Sequence, residues 1–399
     1  MKKYILLLII LFYIFIPLGV VAVTDAIMTP VEEVLTDFHE MYAPRLEQGL
    51  AGVQSPGIDA LMPDFDVGQM LSETITGQIS FEPGSMLRNI LLLLGQSVYS
   101  TFRIMIMILV LAVMCSLLTT LSDNFSGNGI AGNNVGQIAF FACYILIVAV
   151  ALAAFHGAVT EGQNAVTNMV MIMRTVLLLT IAALTGSGAP VTAAMIHPTI
   201  LVSIEIMVRI IQNILIPVLM LSAALNVVNN LSDKFGAQKL AELLNKFVKW
   251  SLGFLLTLFV AIVSIQSIAT AGADGISIKV ARYAAANFIP VVGGILAETV
   301  ETVMACSVIM KNAIGVVGMI VIAVVAAYPL IRIAAQIIIF RITAAVIQPI
   351  ADRRIVACIG GLADTISVMF AIVAAVAVMF LILLTIILNA GHFAVFMGR

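Results

Sequence analysis

The sequence predicts an all-α polytopic membrane protein with about eight transmembrane helices, some of them broken or re-entrant, and three observations carry that reading. Of the 399 residues 62% are hydrophobic and only 10% charged, where a soluble domain carries about 25% charge. Mean hydropathy is +1.16. Apolar runs near the length that crosses a bilayer, about 20 residues, recur from position 104 to position 388. The chain has net charge -2 and shows no large basic patch, RNA motif or zinc-finger spacing, which argues against nucleic acid as a partner. Cys115, Cys143, Cys306 and Cys358 lie in apolar runs without metal-type spacing, so they read as small buried hydrophobes and imply no disulfide framework.

The first 24 residues have the layout of a signal peptide: Lys2 and Lys3, an apolar core from Tyr4 to Ile16, then Pro17, Gly19 and small residues ending at Ala22. An uncleaved anchor is the alternative. Residues 25–88 follow as a short acidic extracytoplasmic segment with eleven Asp or Glu against two Arg. Thr29-Pro30-Val31-Glu32 reads as a helix start, and Val31, Val34, Leu35, Phe38, Met41 and Tyr42 keep helical spacing up to Pro44. That apolar stripe needs a partner. The acids read either as a solvated face or as a surface that docks a basic extracytoplasmic protein.

The transmembrane body occupies residues 89–399, with spans expected near 104–121, 138–155, 169–185, 199–228, 251–269, 304–327, 331–350 and 367–388. Run 199–228 is too long for one plain span and contains Pro217; a hairpin or strongly broken helix is the reading adopted. Residues 237–250 place Leu240, Leu243, Leu244 and Phe247 on one helical face with Lys239, Glu242, Lys246 and Lys249 on others. This suits an interfacial helix or a polar extension of the next span. Pro198, Pro217, Pro290, Pro329 and Pro349 are the expected helix breaks.

An internal repeat is a candidate, with units 161–270 and 298–388. Glu161 to Arg174 and Glu298 to Lys311 match at a constant offset of 137. Downstream, His197-Pro198 leads to Arg209 and Pro217 as Tyr328-Pro329 leads to Arg341 and Pro349, with a spacing of eight from Arg to Pro in both. Three spans per unit invert the two units in the membrane, an architecture of transporters. A hairpin at 199–228 removes the inversion.

Glu205 and Arg209 are the leading functional candidates, because both fall inside an apolar run where a charge costs about 2.5 to 3.5 kcal/mol unless paired or hydrated. They stand four residues apart with the acid first, the favourable order for pairing on one helix face. Arg341 is the repeat counterpart of Arg209, and Arg332 with Gln336 forms a second i,i+4 pair. These groups read as the lining of a polar path, as an inter-helix lock, or as self-neutralised pairs that fix helix register. Arg103, Arg174 and Lys311 stand near span ends and suit snorkelling; His197 reads as a helix-start residue. No HExxH, Walker A or G-x-S-x-G pattern occurs, so no catalytic residue, metal or cofactor is expected.

The chain resembles the stage III sporulation protein AE family of endospore-forming bacteria. The resemblance rests on Ala193-Ala-Met-Ile-His197-Pro198, Ser264-Ile-Gln266 with Asp274-Gly-Ile276, Asn287-Phe-Ile-Pro-Val-Val-Gly293, Lys311-Asn312 with Gly315 and Gly318, Ala326-Ala-Tyr-Pro329 and Ile347-Gln-Pro349, in that order. It covers roughly Leu91 to Arg399. It implies a multi-pass protein of the mother-cell membrane surrounding the forespore, acting in a secretion-like channel complex that supports late forespore gene expression. The implied partners are other proteins of the same sporulation operon, including a ring-forming channel protein and an ATPase-like protein. A secondary transporter with its own small-molecule or ion substrate is the alternative from another class.

Overall fold

The structure, a computed structural model, describes residues 40–48, 61, 66–76, 83–125, 132–231, 238–288 and 293–389. The signal-peptide reading and Pro290 lie outside them. The described residues form helices with no strand among them: α1 at 40–48, α2 Val67–Thr76, α3 Pro83–Phe125, α4 Gly132–Gly186, α5 Pro190–Ile210, α6 Ile216–Leu231, α7 Gln238–Phe288, α8 Gly293–Ile347 and α9 Arg353–Asn389. A five-residue π turn, Ile211–Leu215, joins α5 to α6. Cys115, Cys143, Cys306 and Cys358 are free.

Six helical stretches among the described residues are long and apolar enough to cross a membrane, against the eight expected. The difference has one cause. Runs 138–155 and 169–185 lie on the single helix α4, and runs 304–327 and 331–350 on α8. The polar interval around Glu161, Gln163 and Asn164 lowers hydropathy without containing a residue that stops a helix. Pro329 sits inside α8. A proline removes one i→i−4 hydrogen bond, which a membrane helix packed among neighbours tolerates. Pro198 is likewise inside α5.

The hairpin reading of 199–228 is corrected. Pro190 to Leu231 runs as one continuous helical path, and Pro217 is absorbed by the π turn, in which the Ile216 N–H reaches back five residues to the Ile211 carbonyl. Widening by one residue accommodates the missing donor and bulky ring without a chain reversal. The described part of that segment, 238–250, is correspondingly the first part of α7, continuous with its span, and not a separate interfacial helix. Of the expected breaks that are described, Pro349 alone ends a helix, in the turn where the Ile350 and Ala351 N–H groups donate to the Ile347 carbonyl at 2.9 and 2.7 Å. Asp352 then starts α9, its Oδ1 accepting from the Arg354 N–H at 2.8 Å.

Gly186-Ser-Gly188 closes α4 as a Schellman cap. The Ala189 N–H donates to the Leu184 carbonyl at 3.3 Å and the Gly188 N–H to Thr185 at 3.2 Å. Gly188 takes φ 86°, a conformation that favours glycine, and Pro190 opens α5 at once. This break between 185 and 190 has no counterpart in α8, so the spans of the two candidate repeat units do not correspond one to one.

Among the six long helices α8 stands at the centre, packed on α2, α3, α4, α7 and α9. Its most apolar window is 72% buried inside the protein, which is why its sequence is apolar all round. Small residues let α8 approach its neighbours: a Cβ on Gly318 would stand 2.5 Å from Val176 Cγ1 of α4, and one on Gly315 2.3 Å from Leu388 Cδ2 of α9. The acidic segment also packs on this body. Tyr42, Ala43 and Leu46 of α1 and Leu71 of α2 are buried in the main core, and Leu61 sits with Leu93, Val324 and Ile331. Of the apolar stripe only Met41 and Tyr42 are described: Tyr42 packs on the body and Met41 is exposed. Finally, the apolar stretches Phe141–Gly186 and Thr302–Ile347 each have 46 residues. At 1.5 Å per residue each is about 69 Å long, more than twice a hydrocarbon core of about 30 Å.

Candidate intramembrane ionic site

The polar groups of the body come from faces of α4, α5, α8 and α9 that apolar residues otherwise occupy. On the outer side of α4 and α5, Glu205 accepts from two guanidinium groups. Arg209 Nε donates to its Oε1 at 3.0 Å, one helical turn along α5, and Arg174 of α4 donates to its Oε2. The side chains are 71% exposed for Arg209, 54% for Arg174 and 40% for Glu205. One turn further, Gln212 Nε2 donates to Thr167 Oγ1 at 3.2 Å. The expected Glu205–Arg209 pair is present, but Arg174 joins it and does not snorkel.

Between α4 and α8 lies a second pair. Arg332 Nη1 contacts Glu161 Oε1 at 3.1 Å, with Glu161 largely covered. The same guanidinium lies 5.6 Å from the Tyr328 ring centroid and donates to the Tyr328 hydroxyl at 3.3 Å. The expected Arg332–Gln336 pair is therefore replaced: Arg332 turns to Glu161 and Tyr328, and Gln336 Oε1 is buried with no hydrogen-bond partner among the described residues. The reason is charge, since a carboxylate neutralises a guanidinium in a low-dielectric site and an amide does not. Arg341, expected to act like Arg209, pairs across helices with Asp364 of α9 at 3.2 Å.

Lys311 was expected near a span end. It is 1% exposed, and its Nζ donates to the Leu388 carbonyl at 2.9 Å. The ammonium thus meets one of the last carbonyls of α9, where a helix end carries partial negative charge. Arg103 is exposed on α3, and His197 Nδ1 is buried without a partner among the described residues.

Sequence reasoning missed Glu161 and Asp364 as partners. A charge count would have found them: Arg332 and Arg341 have no acid four residues away on α8, so their neutralisation had to come from the few acids elsewhere in the body. The arrangement ties α4 to α5, α4 to α8 and α8 to α9 at separate levels. Where Tyr144, Ile147 and Ala151 of α4 meet Ile355, Cys358 and Ile359 of α9, no space is left for a water molecule. Chemically, the site offers fixed charge and helix register.

Comparison with known proteins agrees with this body. The family described as Stage III sporulation protein AE matches residues 65–391. Stage III sporulation protein AE of Bacillus subtilis (strain 168) is 29% identical over 337 residues, 84% of this chain and 83% of that protein. No solved structure matches.

Proposed function

Because the chain belongs to the stage III sporulation protein AE family, and so serves sporulation as a multi-pass membrane protein, we propose that it is an integral component of the secretion-like channel complex linking mother cell and forespore. In this reading it resides in the mother-cell membrane around the forespore and acts with other proteins of its operon, including a ring-forming channel protein and an ATPase-like protein. It supports late forespore gene expression by assembly, without enzymatic chemistry of its own.

One observation carries the reading. Arg174, Glu205 and Arg209 place a net charge of about +1 on an outer face that also exposes Met171, Val202 and Ile206. Facing lipid, each charge costs roughly 2.5 to 3.5 kcal/mol. A face of this kind is supported by docking against protein, as in a complex, better than by a solitary carrier. The transporter alternative drew on an inverted repeat whose spans do not correspond in the fold.

The test is forespore-specific late reporter activity in sporulating cells carrying Glu205→Gln, Arg209→Gln, both changes, or the charge swap, with the membrane level of each followed in parallel. We expect single changes to abolish the reporter while the protein stays abundant and its co-purification with operon partners falls. A swap that restores the reporter, or working variants at normal abundance, would reduce the cluster to a structural lock. Substrate-dependent flux by the purified protein in liposomes would favour the transporter instead.

A further inference from the structure

We propose that the polar cleft between α6, α7 and α9 binds a small monovalent cation, an inference independent of the assembly reading. The cleft encloses about 340 Å³, space for several waters at about 30 Å³ each. Among helices this apolar its lining stands out: Asn226, Asn229 and Asn230 come from α6, Glu242 and Asn245 from α7, and Asp364 from α9.

The sign of the ligand follows from the two carboxylates and from the use of most hydrogen-bond donors. Asn226 Nδ2 donates to the Cys358 carbonyl at 3.2 Å, and Asn230 Nδ2 donates to the Asn226 carbonyl at 2.7 Å. Gln238 Nε2 donates to Glu242 Oε1 at 3.4 Å, and the Thr365 hydroxyl donates to the Gly361 carbonyl at 2.9 Å. These donors are spent on the protein itself, while the Asn229 and Asn245 amide nitrogens donate no hydrogen bond among the described residues, so the two carboxylates set the sign. Oxygen acceptors remain: the second oxygens of Glu242 and Asp364, and Asn245 Oδ1, which is buried and accepts no hydrogen bond among the described residues. A hard cation is the ligand that oxygen acceptors of this kind suit.

The charge of the ligand follows from the count. Glu242 and Asp364 bring two negative charges, and Arg341, 3.2 Å from Asp364, offsets one. One positive charge balances the remainder. No group of three or more His, Cys, Asp or Glu converges among the described residues, unlike the carboxylate-rich sets of divalent sites. A cation bound at Asp364 competes with Arg341, so occupancy adjusts the link between α8 and α9.

The experiment uses the full chain in detergent or nanodiscs, titrated with sodium or potassium chloride against N-methylglucamine chloride at constant ionic strength. The readouts are thermal melting and the fluorescence of Trp250, the only tryptophan of the chain, on α7 beside Phe254. We expect a saturable response to at least one alkali cation and none to N-methylglucamine. Asp364→Asn and Glu242→Gln should each weaken it at least about tenfold, the loss of one charge-assisted contact. Gly360→Val keeps both carboxylates and narrows the cleft that Gly360 lines, since a Cβ there meets no atom within 4 Å; it should weaken the response while melting normally in N-methylglucamine. Equal responses to all three salts, or unchanged affinity in the Glu242→Gln/Asp364→Asn double variant or in Gly360→Val, would each overturn the proposal.

Discussion

Two ionic constellations on α4, at Glu161 and Arg174, use the same chemistry in opposite settings. The inner one is balanced: one acid meets one guanidinium between α4 and α8, with a tyrosine ring beside it and the acid largely covered. The outer one is unbalanced, with two guanidiniums on one acid and more than half of each arginine exposed. A balanced pair inside a bundle sets which turn of one helix faces which turn of the next, and it is finished once the fold is made. An unbalanced cluster outside leaves a charge for something else to meet.

The sharpest way to break this contrast is Glu161→Ala. It strands Arg332 at the α4–α8 contact, and removal of one partner of a buried pair costs about 3 to 5 kcal/mol, with the lower figure fitting an arginine that is 41% exposed. Melting of the purified protein should fall steeply, and Glu161→Ala with Arg332→Leu should recover much of the loss. Gly318→Leu attacks the same contact without touching charge. Its Cβ meets Val176 at 2.5 Å, so overpacking of about 1 to 3 kcal/mol is expected in the same melting assay. Glu205→Gln should leave melting nearly unchanged and abolish the forespore reporter, the reverse of the inner pair. The smallest effect is expected from Pro198→Ala, which returns a helical N–H inside α5, a gain that the freer unfolded chain partly offsets; denaturant melting should show a small net gain with reporter activity intact.

What the sequence made legible was local. The all-α membrane class, the Glu205–Arg209 pair and the break at Pro349 each depend on residues within one or two turns of each other. The continuity of α4 and α8 was not legible, because hydropathy marks polarity and Glu161 to Thr167 is polar without being a stop. The hairpin at 199–228 failed for a related reason: Pro217 forbids a regular α turn, but nothing in the sequence says whether the chain reverses or widens. The Arg332–Glu161 pair joins groups far apart in the chain. Only the packing of α4 against α8 brings them together.

The π turn at Ile211–Leu215 has a consequence best put in terms of phase. From Glu205 to Asn226 an unbroken α-helix would turn about 300°, and one residue absorbed in a π turn reduces this to about 200°. The amide face of α6, which reaches Cys358 through Asn226, is thereby aimed almost opposite to the charged face of α5, which reaches Arg174 through Glu205. Absorbing one residue in the π turn thus lets a single rod address two different neighbours. Deleting any one residue from 211–215 should heal the helix and keep both contacts, because the shorter plain α-helix turns by the same angle of about 200°, whereas inserting one residue elsewhere in α6 ahead of Asn226 should swing Asn226 away from α9 and leave Glu205 where it stands.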